Sequence, residues 1–117
     1  AIPILFSGNI SKTKVAQLEL QSWEQQRQNE EIKIEKYINQ KKNELAKHQE
    51  AINYYNLYGK KLSDEIIKVG NNSYKHGEID FFQYIQSLEN ATTIQVDYLD
   101  TILQFNQTQL DLYYLNF

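Results

Sequence analysis

Tyr74-Lys75-His76-Gly77-Glu78-Ile79-Asp80-Phe81 is the stretch on which the fold turns. Gly77 suits the left-handed residue that ends a helix, and Asp80 suits the N-cap of the next one, so these residues predict a tight reversal between two helices. Upstream, residues 10–75 contain no Pro and are dense in Glu, Lys, Gln, Ala and Leu, which favour helix by propensity. Downstream, residues 81–115 continue without Gly or Pro. The expected fold is all-α: a long antiparallel, coiled-coil-like helical hairpin, with the descending helix over 10–75, the turn over 76–80 and the returning helix over 81–115.

The seam between the helices is read from heptad spacing. Ile38, Leu45, Ile52, Gly59 and Ile66 recur every seven residues, and Tyr55, Leu62 and Val69 each follow the last three by three. Lys41 and His48 interrupt this pattern, and Trp23 and Tyr37 fall on a different row. The returning helix carries three adjacent rows: Phe81, Leu88 and Ile102; Tyr84, Ala91, Tyr98, Phe105 and Leu112; and Ile85, Leu99 and Tyr113. That face is wider than a two-stranded seam requires, so more than one neighbouring helix is expected. A continuous helix of about 66 residues would reach on the order of 100 Å, too long for a compact globule. At the other end, Ile2, Ile4 and Phe6 alternate with Pro3 and Leu5, which predicts a short strand remnant over residues 1–7, broken by Ser7-Gly8-Asn9.

Composition narrows the classes of function. The 117 residues include 24 amide side chains, only 4 Gly and 1 Pro, and have a mean hydropathy of -0.64. Absence of Cys rules out disulfides, thiolate metal sites and cysteine nucleophiles. The net charge of -3 conceals an asymmetry: all 12 Lys and Arg lie between Lys12 and Lys75, whereas Glu78 to Phe117 carries 6 acids and no base. The two helices should therefore attract each other. Basic residues alternate with Glu30, Glu31, Glu35, Glu44 and Glu50, which argues against nucleic-acid binding. The longest apolar run, Ala1 to Phe6, is far short of a membrane-spanning helix, and with no basic segment before it the chain reads as an excerpt from a longer protein. Glu44 and His48 share a helix face, but two ligands are too few for zinc, and no metal or other cofactor is expected. No Ser or Thr lies in a nucleophile-elbow context and no Gly-rich phosphate loop is present, so the chain is not read as an enzyme. Gln83 and Gln86, at i and i+3 one turn into the second helix, read as surface amides by themselves, as do Asn106, Gln107, Gln109 and Asn116.

Taken in order, Ile2-Pro3-Ile4-Leu5-Phe6-Ser7-Gly8, the long helix, and Tyr74 to Phe81 resemble the outer-membrane factor (TolC-like) family, and specifically its second structural repeat. In that family a strand ending in a similar sequence leaves a membrane β-barrel, a long helix descends through the periplasm, a "Y-x-x-G" turn reverses the chain, and a shorter helix climbs back. The segment Gly77 to Leu88, with Tyr98-Leu99 and Asn106-Gln107, looks most like members associated with heavy-metal cation efflux pumps, some of which are fused to the pump polypeptide.

The resemblance implies a structural part of a trimeric bacterial outer-membrane efflux channel, its periplasmic α-barrel. Such a channel exports small solutes or metal cations with a periplasmic adaptor and an inner-membrane pump. It implies a partner-docking tip at Tyr74, Lys75, Gly77, Glu78, Ile79 and Asp80, and a channel entrance at Gln83 and Gln86. The family often places an acidic pair at those last two positions, so an amide entrance departs from its pattern. A soluble coiled-coil scaffold or interaction module, or the hairpin of a periplasmic adaptor, are the alternatives that the residues themselves leave open.

Overall fold

The computed structural model describes residues 2–115, with side chains from Gly8 onward; Ala1, Asn116 and Phe117 lie outside the described residues. Four elements follow one another: α1 (Ile2–Tyr54), a single π turn (Tyr55–Gly59), α2 (Lys60–Lys75) and α3 (Phe81–Leu115). The fold is all-α, a helical hairpin.

The expected strand remnant over 1–7 is corrected: the backbone is helical from Ile2. A strand needs a neighbour to take its N–H and C=O groups, and no second strand exists among the described residues. A helix satisfies these groups internally. Pro3 falls in the first turn, where its missing N–H would have had no helical partner.

The chain divides into two units, Ala1–Asn39 and Gln40–Phe117. In the first, every side chain from Gly8 through Lys36 is exposed, including Trp23 and Leu20. Its helix is supported locally, by propensity and by surface pairs such as Lys33 Nζ to Glu30 Oε1 at 2.8 Å and Arg27 Nε to Glu31 Oε1 at 3.6 Å. Such pairs contribute only a few tenths of a kcal/mol each, roughly the i,i+4 value.

In the second unit the end of α1, the π turn and α2 run antiparallel to α3. The pairing is set by a ladder of polar contacts: Lys41 Nζ to Asp111 Oδ2 (3.2 Å), Tyr98 Oη donating to Asn56 Oδ1 (3.3 Å), Gln95 Nε2 donating to Ser63 Oγ (3.3 Å), and Tyr84 Oη donating to Asn71 Oδ1 (2.7 Å). Between them Tyr55 and Tyr98 stack with ring centroids 3.8 Å apart and planes 11° from parallel. No buried side-chain polar atom among the described residues lacks a partner.

The inward row passes through Leu45, His48, Ile52, Tyr55 and Gly59 at alternating steps of three and four, then continues through Ser63, Ile66 with Ile67, Gly70 and Ser73. The expected seam positions Leu62 and Val69 are corrected: they stand outside, 54% and 53% exposed, while Ser63 is fully buried. The physical reason is the π turn, which fits one extra residue into a helical turn and rotates everything after it by one position. Small side chains then meet. A Cβ added to Gly70 would stand 3.2 Å from the Ser87 Cβ, and Ala91 is the one apolar side chain fully buried among the described residues.

On α3, Tyr84, Leu88, Tyr98, Ile102 and Phe105 turn inward with Ala91, whereas Phe81, Leu99 and Tyr113 are exposed. Leu99 belongs to a heptad-spaced outer row with Val96, Leu103, Leu110 and Tyr113, all more than half exposed. The expected third row is met only in part: Leu99 and Tyr113 are exposed but Ile85 is half-buried, and the outer row runs instead through Val96, Leu103 and Leu110.

Two substitutions separate the inner row from the outer one. Ala91→Leu should overfill the contact with α2 and lower the stability of a dilute sample by about 1–3 kcal/mol. Leu99→Ala should change it by no more than about 0.5 kcal/mol. Urea titration followed by far-ultraviolet circular dichroism reads both; equal losses would mean that the inner row is misassigned.

Candidate functional site

The reversal from α2 to α3 is where backbone, side chains and aromatic rings converge. Helix α2 ends in a Schellman motif: Gly77 N–H donates to the Tyr74 carbonyl (3.1 Å) and Glu78 N–H to the Ser73 carbonyl (2.9 Å). Gly77 has φ +71°, the left-handed conformation this geometry needs, and open space around its α-carbon. Two further bonds secure the same end. His76 donates its N–H to the Asn72 carbonyl at 3.0 Å, and Ser73 Oγ donates to Glu78 Oε2 at 2.9 Å.

Helix α3 begins with a reciprocal capping box. Gln83 N–H donates to Asp80 Oδ1 (2.8 Å), and Asp80 N–H donates to Gln83 Oε1 (3.1 Å). The Asp80 carboxylate also sits at the positive end of the α3 dipole, while Lys75 occupies the last turn of α2, where positive charge is favoured. The end of α2 is thus closed by backbone N–H groups of the turn, and the start of α3 by side chains.

Rings bridge the two helices just behind it. Tyr74 stacks on Tyr84 with centroids 4.7 Å apart and planes 11° from parallel, and Phe81 meets Tyr74 at 6.2 Å. Tyr84 Oη in turn donates to Asn71. Beside this cluster lies an open groove of about 320 Å³, lined on its apolar side by Leu62, Ile66, Val69 and Ile79.

The residues singled out from the sequence therefore separate into two kinds. Tyr74, Gly77, Glu78 and Asp80 build the turn, and Ile79 is half-buried at the groove. Lys75 and Gln86 are exposed. Gln83 is also exposed, but its amide is engaged by Asp80, so it differs from Gln86 despite the shared helix face. Asn71, Ser73 and Tyr84 were not singled out from the sequence. The signal for Tyr84 was its place in an inward row directly after the N-cap; Asn71 had none, because its role depends on a residue 13 positions away.

A second polar cluster lies toward the open end of the hairpin. Lys41 Nζ is 3.1 Å from Glu44 Oε2 and 3.2 Å from Asp111 Oδ2, joining α1 to α3. Gln40 Nε2 donates to Glu44 Oε1 at 2.9 Å. The hydrogen bonds from Gln40 and Lys41 hold the Glu44 carboxyl below its usual range. Among the described residues no group of three His, Cys, Asp or Glu side chains is placed to hold a metal ion, and no helix is long and apolar enough to cross a membrane.

Removing one half of the capping box should be measurable. Gln83→Ala should cost about 0.5–1 kcal/mol of hairpin stability and Asp80→Ala about 1 kcal/mol, with Gln83→Glu close to neutral. Because the folded Glu44 carboxyl titrates below its unfolded value, its stabilisation is full above the ordinary carboxylate range and is lost as pH falls through the lowered value. Glu44→Gln should remove that component of the acid dependence, read as a flatter melting temperature against pH.

Comparison with protein-family models, with curated proteins and with solved structures finds no match to this chain.

Proposed function

We propose that this chain is a wall segment of a periplasmic α-barrel, in a TolC-like bacterial outer-membrane efflux channel that works with a periplasmic adaptor and an inner-membrane pump. The observation that carries this reading is the pair of apolar surfaces on one hairpin. One is consumed by its own seam, and the other, Val96, Leu99, Leu103 and Leu110, faces outward at heptad spacing. A helix in a barrel wall has a neighbour on each side, which accounts for both. The channel is a trimer, and it carries small solutes or metal cations, with heavy-metal cations favoured by the resemblance of residues 77–88.

On this reading the closed, ring-backed turn is the periplasmic tip. Its rigidity suits docking: Tyr74 and Lys75 with Glu78, Ile79 and Asp80 present a fixed surface to the adaptor. Gln86 faces the entrance, with Gln83 beside it. Amides neither repel one another nor concentrate cations as a ring of carboxylates would, so the entrance is held shut by packing and hydrogen bonds. The chain acts as a conduit rather than a catalyst.

The reading is tested in the intact channel. Gln86→Asp combined with Gln83→Glu, which preserves the capping box, should introduce block of conductance by divalent cations in planar-bilayer recordings. Gly77→Val should reduce efflux while the trimer still assembles, since a β-branched residue resists the positive φ found there. Unchanged cation sensitivity would remove these positions from the entrance. A protein that neither assembles as a trimer nor cross-links to an adaptor through position 75 would favour a coiled-coil scaffold instead.

A further inference from the structure

The π turn at Tyr55–Gly59 stands immediately before the place where the buried row changes position, and the chain on either side of it is compatible with two different seams. In the observed register, Ser63 and Gly70 face α3, while Leu62 and Val69 lie in the open groove. A π turn holds one residue more than an α turn. If it tightens to α, α2 rotates by about one residue, roughly 100°; Leu62 and Val69 take the places of Ser63 and Gly70, and Ile66 that of the half-buried Ile67. The spacing anticipates that second seam: Gly59, Leu62, Ile66, Val69 and Ser73 continue the alternation of three and four set by Leu45, His48, Ile52 and Tyr55 without interruption.

We propose that the π turn makes this hairpin a two-register device, in which rotation of α2 opens or closes the apolar groove beside the turn. This inference stands independently of the efflux reading. Each register has its own support. The observed one gains the stack of Tyr55 on Tyr98, the hydrogen bond from Gln95 to Ser63, and the close approach of Gly70 to Ser87. Gly59 permits it, because a Cβ there would stand 2.7 Å from Cδ2 of the Tyr55 ring. The alternative register trades these contacts, and the close approach of α2 to α3, for burial of two branched apolar side chains that are now more than half exposed, with the helices standing further apart. In it, Lys61 and Lys68 come to the groove positions of Leu62 and Val69, and a charged surface replaces the apolar groove. Gly77, already outside the range of ordinary side-chain conformations, is the natural place for the turn to absorb the rotation.

The absence of Cys lets single cysteines report the register in the 117-residue chain. In the parent register Leu62→Cys should react with a maleimide at least about tenfold faster than Ser63→Cys, following their exposure. At the close spacing of the observed register a Cβ on Gly70 would already stand 3.2 Å from the Ser87 Cβ, so Gly70→Leu should drive the wider second register and reverse that order with helicity retained. Deleting Leu57, an exposed residue of the π turn, removes the extra residue and should lock the parent order. In the deletion background Gly70→Leu then has no second register to enter, and both cysteines should become reactive as the hairpin opens. The proposal is overturned if Gly70→Leu alone leaves the order unchanged, if it deprotects both positions, or if it reverses the order even with Leu57 deleted.

Discussion

The hairpin depends on how closely α2 can approach α3. Ser63, Gly70, Ser87 and Ala91 line the contact, and a Cβ on Gly70 alone would already stand 3.2 Å from the Ser87 Cβ, so larger side chains there need a wider spacing. Close approach has a consequence for what holds the seam together. Little apolar area is available to bury, so tyrosine hydroxyls and amides supply the specific pairings along it: Tyr84 with Asn71, Gln95 with Ser63, and Tyr98 with Asn56. A hydrogen bond of this kind contributes about 1 kcal/mol net, less than a buried leucine, but it fixes axial register in a way that an interchangeable row of leucines does not. The amide-rich composition, which looks merely hydrophilic in the sequence, is in part the material of the seam.

Charge reinforces that pairing at one place and sets a general bias elsewhere. Helix α3 carries no basic side chain, whereas the facing helices hold Lys41, Lys42, Lys47, Lys60, Lys61 and Lys68. Lys41 makes an ion pair across to Asp111 of α3, where it is largely shielded from water. The other charges on the two helices interact through solvent, screened over roughly 8 Å at physiological salt, and so favour antiparallel association without specifying contacts. The ladder of hydrogen bonds and the aromatic stacks decide the alignment.

At the turn, the two helix ends are closed by different chemistry. A Schellman motif at Gly77 takes up the last carbonyls of α2, and the Asp80–Gln83 box takes up the first amides of α3. Tyr74, Phe81 and Tyr84 then tie the helices together behind it. Few of the groups that would let this reversal fray are left free, which makes it a defined surface rather than a slack connection. Gln83 illustrates how a structural duty limits a functional one: its amide oxygen already has a donor in Asp80, so any role at an entrance would have to work around that bond.

Local sequence was sufficient for the helices and for their reversal, because propensity, a left-handed Gly and an N-cap Asp act over a few residues and need no distant partner. It also pointed to more apolar surface on α3 than one seam can use, although the exposed row through Val96, Leu103 and Leu110 is not one that heptad counting picked out. It misjudged residues 2–7, where alternation suggested a strand; a strand requires an edge that only tertiary structure can provide, and none is present among the described residues. The inner face of α2 was likewise beyond reach. Heptad counting placed Leu62 and Val69 inside, but one π turn rotated them out and brought in Ser63 and Gly70, whose small size matters only against Ser87 and Ala91 across the seam. From residue 10 onward the sequence by itself determined which segments are helical and where the chain turns back, since those choices are local; which side of each helix is buried was decided by the fit between them.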